Sequence, residues 1–224
     1  MIQLQNVKKA FNHGRLNEFW AIRGVDLTIE RQRVTVLKGP SGSGKTTLLS
    51  LIGVLSRPTS GRILLNGRNL SGLPERFTTK IRRETFGFIF QRFNLIEGIS
   101  LLENVMLPAY PQGRNRRRLE AAALALLERF DLADKRHNPV EWLSGGEAQR
   151  AAICRALINE PAILIADEPT SNLDSRLSAA FLTIIGELVG EGRTVLLSSH
   201  DPLICESDKV HRVVGIQDGR LMEE

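Results

Sequence analysis

The stretch "GPSGSGKTT" (39–47) sets a lysine and two threonines directly behind three glycines. Gly39, Gly44, Lys45 and Thr46 fit the pattern G-x-x-x-x-G-K-[ST], whose glycines let successive backbone N–H groups turn inward around a phosphate. Pro40, Ser41, Gly42, Ser43 and Thr47 complete the cradle. A helix starting near Lys45 adds the partial positive charge of its N-terminus. The Lys45 ammonium can reach the β- and γ-phosphates, and the Thr46 hydroxyl is placed for Mg²⁺. The bland alternative is an incidental Gly/Ser turn, but the strand-like "VTVLK" (34–38) before the loop and the helix-like "TTLLSLIGVL" after it supply the context the motif requires.

A phosphate cradle alone hydrolyses nothing. "AILIADEP" adds two acids at the end of a buried-strand pattern, with Asp167 suited to hold Mg²⁺ and Glu168 to act as general base or to position water. Two carboxylates behind five apolar residues are costly to bury without a cation, which weighs against an ordinary surface loop. A third element, "LSGGE", puts Ser144, Gly145 and Gly146 before a helix expected from about Glu147. That is a second helix N-terminus able to meet an anion, or simply an N-cap.

These groups need a scaffold. Short, nearly continuous apolar runs at 34–38, 86–90, 162–166 and 195–199 alternate with helical segments, as in a mostly parallel α/β sheet covered on both faces. "GRILLNGRNL" carries an Asn66-Gly67 hairpin signal. From Gln91 to about Leu143 helical patterning replaces the strand signals, consistent with an inserted helical lobe. With 224 residues, 42% hydrophobic and 25% charged, the chain is long enough for a real core, and it shows no internal repeat. No window approaches the about 18 apolar residues of a membrane span. The N-terminus "MIQLQNVKKAF" lacks the features of a secretory signal, so a cytoplasmic location is expected. Cys154 and Cys205 form neither a CxxC pair nor a cluster with histidines, so no metal cluster or disulfide framework is expected. The net charge of +5 invites a nucleic-acid or membrane-surface reading. The densest basic run, Arg114 with Arg116, Arg117 and Arg118, precedes the amphipathic "LEAAALALLERF". A solvated face is the plain account of such a run, with anionic lipid headgroups as its functional alternative. No aromatic residue interleaves with the run to stack bases, so no nucleic-acid partner is expected.

In combination and order, these motifs make the chain resemble the ATP-binding subunits of ABC transporters along essentially its whole length. "GPSGSGKTT" is similar to their Walker A motif, "ILIADE" to Walker B, "LSGGE" to the signature, and Gln91 in "FGFIFQRFNL" to the Q-loop. "SNLD" (171–174) resembles the D-loop and His200 in "SSHD" the switch histidine that approaches the γ-phosphate. Phe11 falls where the family carries an adenine-stacking aromatic, commonly tyrosine. Glu147 and Ser171 stand where relatives often have Gln and Gly; both keep the loop polar.

The resemblance implies a P-loop NTPase (RecA-like) core with an N-terminal antiparallel β subdomain and an inserted α-helical subdomain. The core would take residues 1–91 and 158–224, and the helical subdomain 92–157. It implies ATP and Mg²⁺ as ligands, with Thr46, Gln91 and Asp167 on the metal and Glu168, His200, Gln91 and Lys45 serving hydrolysis. Two copies would close head-to-tail around two ATP, each presenting Ser144, Gly145, Gly146 and Glu147 to the other's nucleotide. An integral membrane permease on a separate chain would receive the motion, leaving this subunit peripheral on the inner face of the membrane. The run "FGFIFQRFNLIEGISLLENVMLPAYP" and a chain ending soon after its last strand look like the macrolide-exporter and lipoprotein-release group (MacB, LolD and relatives). A cell-division ATPase of the FtsE kind and, in another class, a nucleic-acid-associated ABC ATPase are the alternatives.

Overall fold

The computed structural model describes residues 1–171 and 173–222. Two long strands open the chain, β1 (Ile2–Phe11) and β2 (Phe19–Ile29), paired antiparallel with several register shifts. They form a four-stranded sheet with β4 (Ser60–Leu65) and β5 (Arg68–Asn69), in the order β2-β1-β4-β5. The turn between β4 and β5 is the Asn66-Gly67 pair, both at positive φ, as a tight hairpin of this kind demands.

The second sheet has the order β10-β9-β3-β8-β7-β6. Its strands are β3 (Val34–Lys38), β6 (Phe86–Ile89), β7 (Ile163–Asp167), β8 (Thr194–Ser198), β9 (Arg212–Gln217) and β10 (Arg220–Leu221). All neighbours run parallel except the β9–β10 pair. Val34 to Leu37, Ile163 to Ala166 and the whole of β8 are buried, which explains their unbroken apolar runs where one-sided strands would alternate.

Helices cover both faces. α1 (Lys45–Ile52) packs its Leu48, Leu49, Leu51 and Ile52 into an apolar cluster with the antiparallel sheet. α2 (Glu75–Thr85) lies at the surface with Thr78 its one buried residue. On the other face, α3 (Leu101–Met106), α4 (Arg116–Arg129), α5 (Gly145–Leu157) and α6 (Ser175–Gly190) share a second cluster with Val36, Leu164 and Leu197. A short α7 (Pro202–Cys205) follows β8.

Between β6 and β7 the described residues hold helices, 3₁₀ turns and one isolated bridge, Ser100 to Pro139, but no strand. The basic run is where the sequence placed it: Asn115 caps α4 by accepting from the N–H groups of Arg117 and Arg118. Leu119, Ala123 and Leu127 are buried along one stripe of the helix. No helix among the described residues is long and apolar enough to cross a membrane.

Parallel strands bring their C-terminal ends to one edge of the sheet, and the candidate residues hang from that edge. The loop from Gly39 leaves β3, Gln91 lies two residues beyond β6, Glu168 follows β7, and His200 lies two residues beyond β8.

A candidate nucleotide site at the edge of the parallel sheet

The glycines of the loop from Gly39 to Gly44 are there for space as well as for φ. A Cβ on Gly39 would lie 2.1 Å from the Ile216 carbonyl oxygen, and one on Gly44 2.7 Å from that of Ala21. Gly42 and Gly44 have φ of +78° and +107°, open to glycine at no steric cost. Gly44 caps α1 with no side-chain hydrogen bond, and the first turn carries no acid. The N–H groups of that turn are thus left to whatever enters the loop. Ser43 is 4% exposed and its Oγ is buried without a hydrogen-bond partner among the described residues. A buried orphan hydroxyl beside a helix terminus with no side-chain cap fits an oxyanion ligand.

Lys45 is nearly buried. Its ammonium donates to the carbonyls of Gly39 at 2.7 Å and Pro40 at 3.1 Å, and lies 3.3 Å from Glu168 Oε1. Glu168 stands at φ +43°, a strained setting for a side chain of its size. Its N–H donates to Ser198 Oγ at 2.9 Å, and that hydroxyl donates to Asp167 Oδ1 at 2.6 Å. Ser198 is the cross-strand neighbour of Asp167 in the β7–β8 register, so one buried hydroxyl ties the two acids in place. His200 completes the group, its Nδ1 3.1 Å and 3.2 Å from the two Glu168 oxygens.

These residues share one cleft of about 590 Å³. Pro40 to Thr47 form its floor, Gln91, Glu168 and His200 one end, and Phe11, Phe19 and Ala21 the other. Phe11 and Phe19 face each other across β1 and β2 and are 46% and 56% exposed, so the Phe11 ring is not a core residue. Two aromatics, a glycine loop and a Lys–Glu–His cluster make a site of mixed polarity in one cleft. Phe19 and Ser198 are absent from the sequence reading. Both enter through strand register, which adjacent-residue patterns do not carry.

Gly39 lies beneath the loop and Asp167 behind Glu168, neither on the cleft wall. Ser144, Gly145, Gly146 and Glu147 do not line the cleft at all. Helix α5 starts at Gly145, two residues before the expected start near Glu147, because a reciprocal capping box closes its first turn. The Glu147 N–H donates to Ser144 Oγ at 3.4 Å and the Ser144 N–H to Glu147 Oε2 at 2.9 Å. The Lys135 ammonium pairs with the same carboxylate; this pair and the Ser144 N–H hold the Glu147 pKa down to about 2.

The body of α5 reaches the cleft indirectly. Buried Gln149 donates to the Pro169 carbonyl at 2.9 Å, next to Glu168. Buried Arg155 donates to the carbonyls of Phe93 and Asn94 just past Gln91. Burial without a carboxylate partner lowers the Arg155 pKa. Of the stretch resembling the D-loop, Asn172 lies outside the described residues. Leu173 and Leu177 pack beside Gly145 and Gly146, and Asp174 caps α6 by accepting from the Leu177 N–H.

The sequence profile of the ABC transporter family matches residues 22–171. The chain is 41% identical over 224 residues to a macrolide export ATP-binding/permease protein, MacB, of Hyphomonas neptunium, covering all of this chain and 34% of that one. It thus spans about a third of the length of the export proteins it matches. An uncharacterized ABC transporter ATP-binding protein of Bacillus subtilis, YknY, is 39% identical over 222 residues, covering 99% of this chain and 95% of that one. Among solved structures, the dimeric bacterial ABC transporter cassette MJ0796 superposes with a TM-score of 0.90 at 36% identity, over 100% of this chain and 97% of its own. The same cassette, solved in a dimeric post-hydrolysis state with ADP and Pi, gives 0.90 at 35%. The fold, the cleft and these relatives together show that the chain belongs to the ABC transporter family, as one of its ATP-binding cassettes.

Proposed function

We propose that the chain binds ATP with Mg²⁺ in this cleft, hydrolyses it, and works as a head-to-tail pair that drives a separate membrane subunit. The observation that carries the proposal is the meeting of Lys45, Glu168 and His200 within 3.3 Å at the far end of a loop whose helix terminus is left uncapped. In this reading Phe11 and Phe19 hold the base, the N–H groups of Pro40's successors through Thr47 hold the phosphates, and Lys45 bridges the outer two. Thr46, Asp167 and Gln91 would hold Mg²⁺, which supplies charge neutralisation on the phosphate oxygens. Glu168 accepts a proton from the attacking water as that water bonds to the γ-phosphorus and the bond to the ADP oxygen breaks. His200 orients the Glu168 carboxylate and senses the departing phosphate.

Ser144 to Glu147 lie off the cleft of their own chain, as expected if they meet a nucleotide held by a second copy. The dimeric MJ0796 cassette supports that arrangement. In the proposed cycle ATP joins the two copies and hydrolysis releases them. Residues 92–157 form the unit that moves against a core of 1–91 and 158–224; Arg155 ties Phe93 and Asn94, just past Gln91, to α5 within that unit, and Gln149 links α5 to Pro169 of the core. The similarity to MacB supports an export-type partner of the mechanotransmission kind, with this chain at the cytoplasmic face of the membrane. Phosphate release by the purified chain tests the chemistry. Glu168→Gln is expected to lower it by about 100-fold or more, while light scattering with ATP finds a dimer. Undiminished release in that variant would overturn the assignment of the base.

A further inference from the structure

The first turn of α5 has a charge balance of its own. A helix N-terminus is worth about +0.5 of an elementary charge. The capping box sets the Glu147 carboxylate on that end, one of its oxygens accepting from the Ser144 N–H at 2.9 Å. A full negative charge there leaves about −0.5, the wrong sign for an anion arriving at Gly145 and Gly146. The box stabilises the helix and, taken alone, works against a phosphate.

Lys135 reverses the sign. Its ammonium pairs with Oε1 of the same carboxylate, and among the described residues it is the one cation paired with Glu147. With it the sum returns to about +0.5, while Ser144 keeps its hydroxyl proton and Gly145 and Gly146 keep their N–H groups. Neighbouring charges are spent elsewhere. Arg136 donates to the Ala133 carbonyl at 3.1 Å, Arg150 to that of Phe130 at 2.9 Å, and Glu141 accepts from the Gly98 N–H at 2.6 Å.

The lysine is delivered by an anchored turn. It ends the 3₁₀ turn Ala133–Lys135, its N–H donating to the carbonyl of buried Leu132 at 3.0 Å and its own carbonyl accepting from the Asn138 N–H at 2.9 Å. Leu101 and Leu102 of α3 donate to the carbonyls of Asn138 and Arg136, both at 2.9 Å. The base of the side chain is thus fixed against α3 and, through Arg150, against α5. The pair itself is partly exposed, 39% at Lys135 and 19% at Glu147, so its worth to folding is small. Its worth to an incoming anion is larger, because losing the lysine changes the charge that anion meets by a full unit.

We propose that Lys135 is a positioning residue for the pairing of two copies around ATP: it neutralises Glu147, so that the α5 end stays positive and takes the γ-phosphate held by a second copy. The proposal rests on the head-to-tail reading above. Lys135 touches neither the nucleotide nor the attacking water and acts through Glu147 alone. A neutral side chain at 147 would need no such partner.

Sedimentation of the full chain with ATP, in a Glu168→Gln background, tests it. Lys135→Met should weaken pairing on the order of tenfold at low salt, since each dimer has two such ends, and the deficit should shrink toward about 1 M salt. Lys135→Arg should restore pairing. Lys135→Met with Glu147→Gln should restore it as well: the ion pair is gone, but so is the repelling charge. Single-chain ATP affinity, read in chains that also carry Ser144→Arg and so stay apart, should be the same with lysine or methionine at 135. If Lys135 only props up the fold, the double variant pairs as weakly as Lys135→Met or worse, at every salt concentration, and that result would overturn the proposal. Equal pairing of Lys135→Met and its parent would overturn it too, with the head-to-tail reading left standing. A parent that stays monomeric with ATP would overturn both, so the two failures are told apart.

Discussion

α1 begins directly behind a glycine and α5 begins at one, yet their first turns are finished in opposite ways. At α1, Gly44 is left-handed, caps with backbone alone and is followed by Lys45, so the turn offers bare N–H groups and a cation. At α5, Ser144 and Glu147 close a capping box, and Lys135 balances the charge of the acid. The first end needs an anion to complete it; the second is complete by itself. An anion reaching α5 must therefore use what the box leaves over, which is the N–H groups of Gly145 and Gly146 and the hydroxyl proton of Ser144. This is the physical difference between a site that holds a phosphate on its own and one that touches a phosphate already held.

The comparison breaks first at its glycines. Gly39→Ala drives a Cβ to 2.1 Å from the Ile216 oxygen and should cost about 3 kcal/mol in urea unfolding. Gly145→Ala meets nothing nearer than Leu173 at 3.6 Å and improves helix propensity, so stability should hold within about 1 kcal/mol. Any loss of ATP-driven pairing in Gly145→Ala is then a loss of contact. Next in size is Lys45→Ala, which removes the cation of α1 and should weaken ATP binding about 100-fold by calorimetry. Lys135→Met, at the other end, should leave single-chain ATP affinity unchanged.

Ser144→Ala opens the box and should cost about 1 kcal/mol of stability. The smallest effect is acidic. Glu147 is held near 2, below its ordinary 4.5, so its contribution is full above about 4.5 and is lost as pH falls toward 2. Lys135→Met should shrink that acid-side loss, by no more than about 1 kcal/mol, in unfolding midpoints measured across that window.

What could be read in advance follows from how local each feature is. The loop from Gly39, the acids after β7 and the order of the motifs are short runs of adjacent residues, and the elements that carry them were legible in the same way. Ser198 and Phe19 were not, because one meets Asp167 and the other Phe11 only by lying opposite them in the neighbouring strand. The start of α5 was misjudged because two glycines disfavour a helix interior, whereas at the first two positions a Ser–Glu box outweighs that cost. α2 is hard to read in the sequence because its only apolar pair, Phe77 and Ile81, is set among charged residues and Thr78 alone is buried. Gln149 and Arg155 gave no sign of their targets. Their partners are backbone carbonyls 20 and more than 60 residues away, to which no side-chain pattern points.

Mixing two crippled chains tests most directly whether each ATP is held between copies. In a Glu168→Gln background, Lys45→Ala spoils the α1 end and Ser144→Arg the α5 end. Alone with ATP, each should stay monomeric by light scattering. Mixed, they should pair, since one α1 end and one α5 end remain intact across the interface. A mixture that stays monomeric, or either variant pairing by itself, would contradict the account.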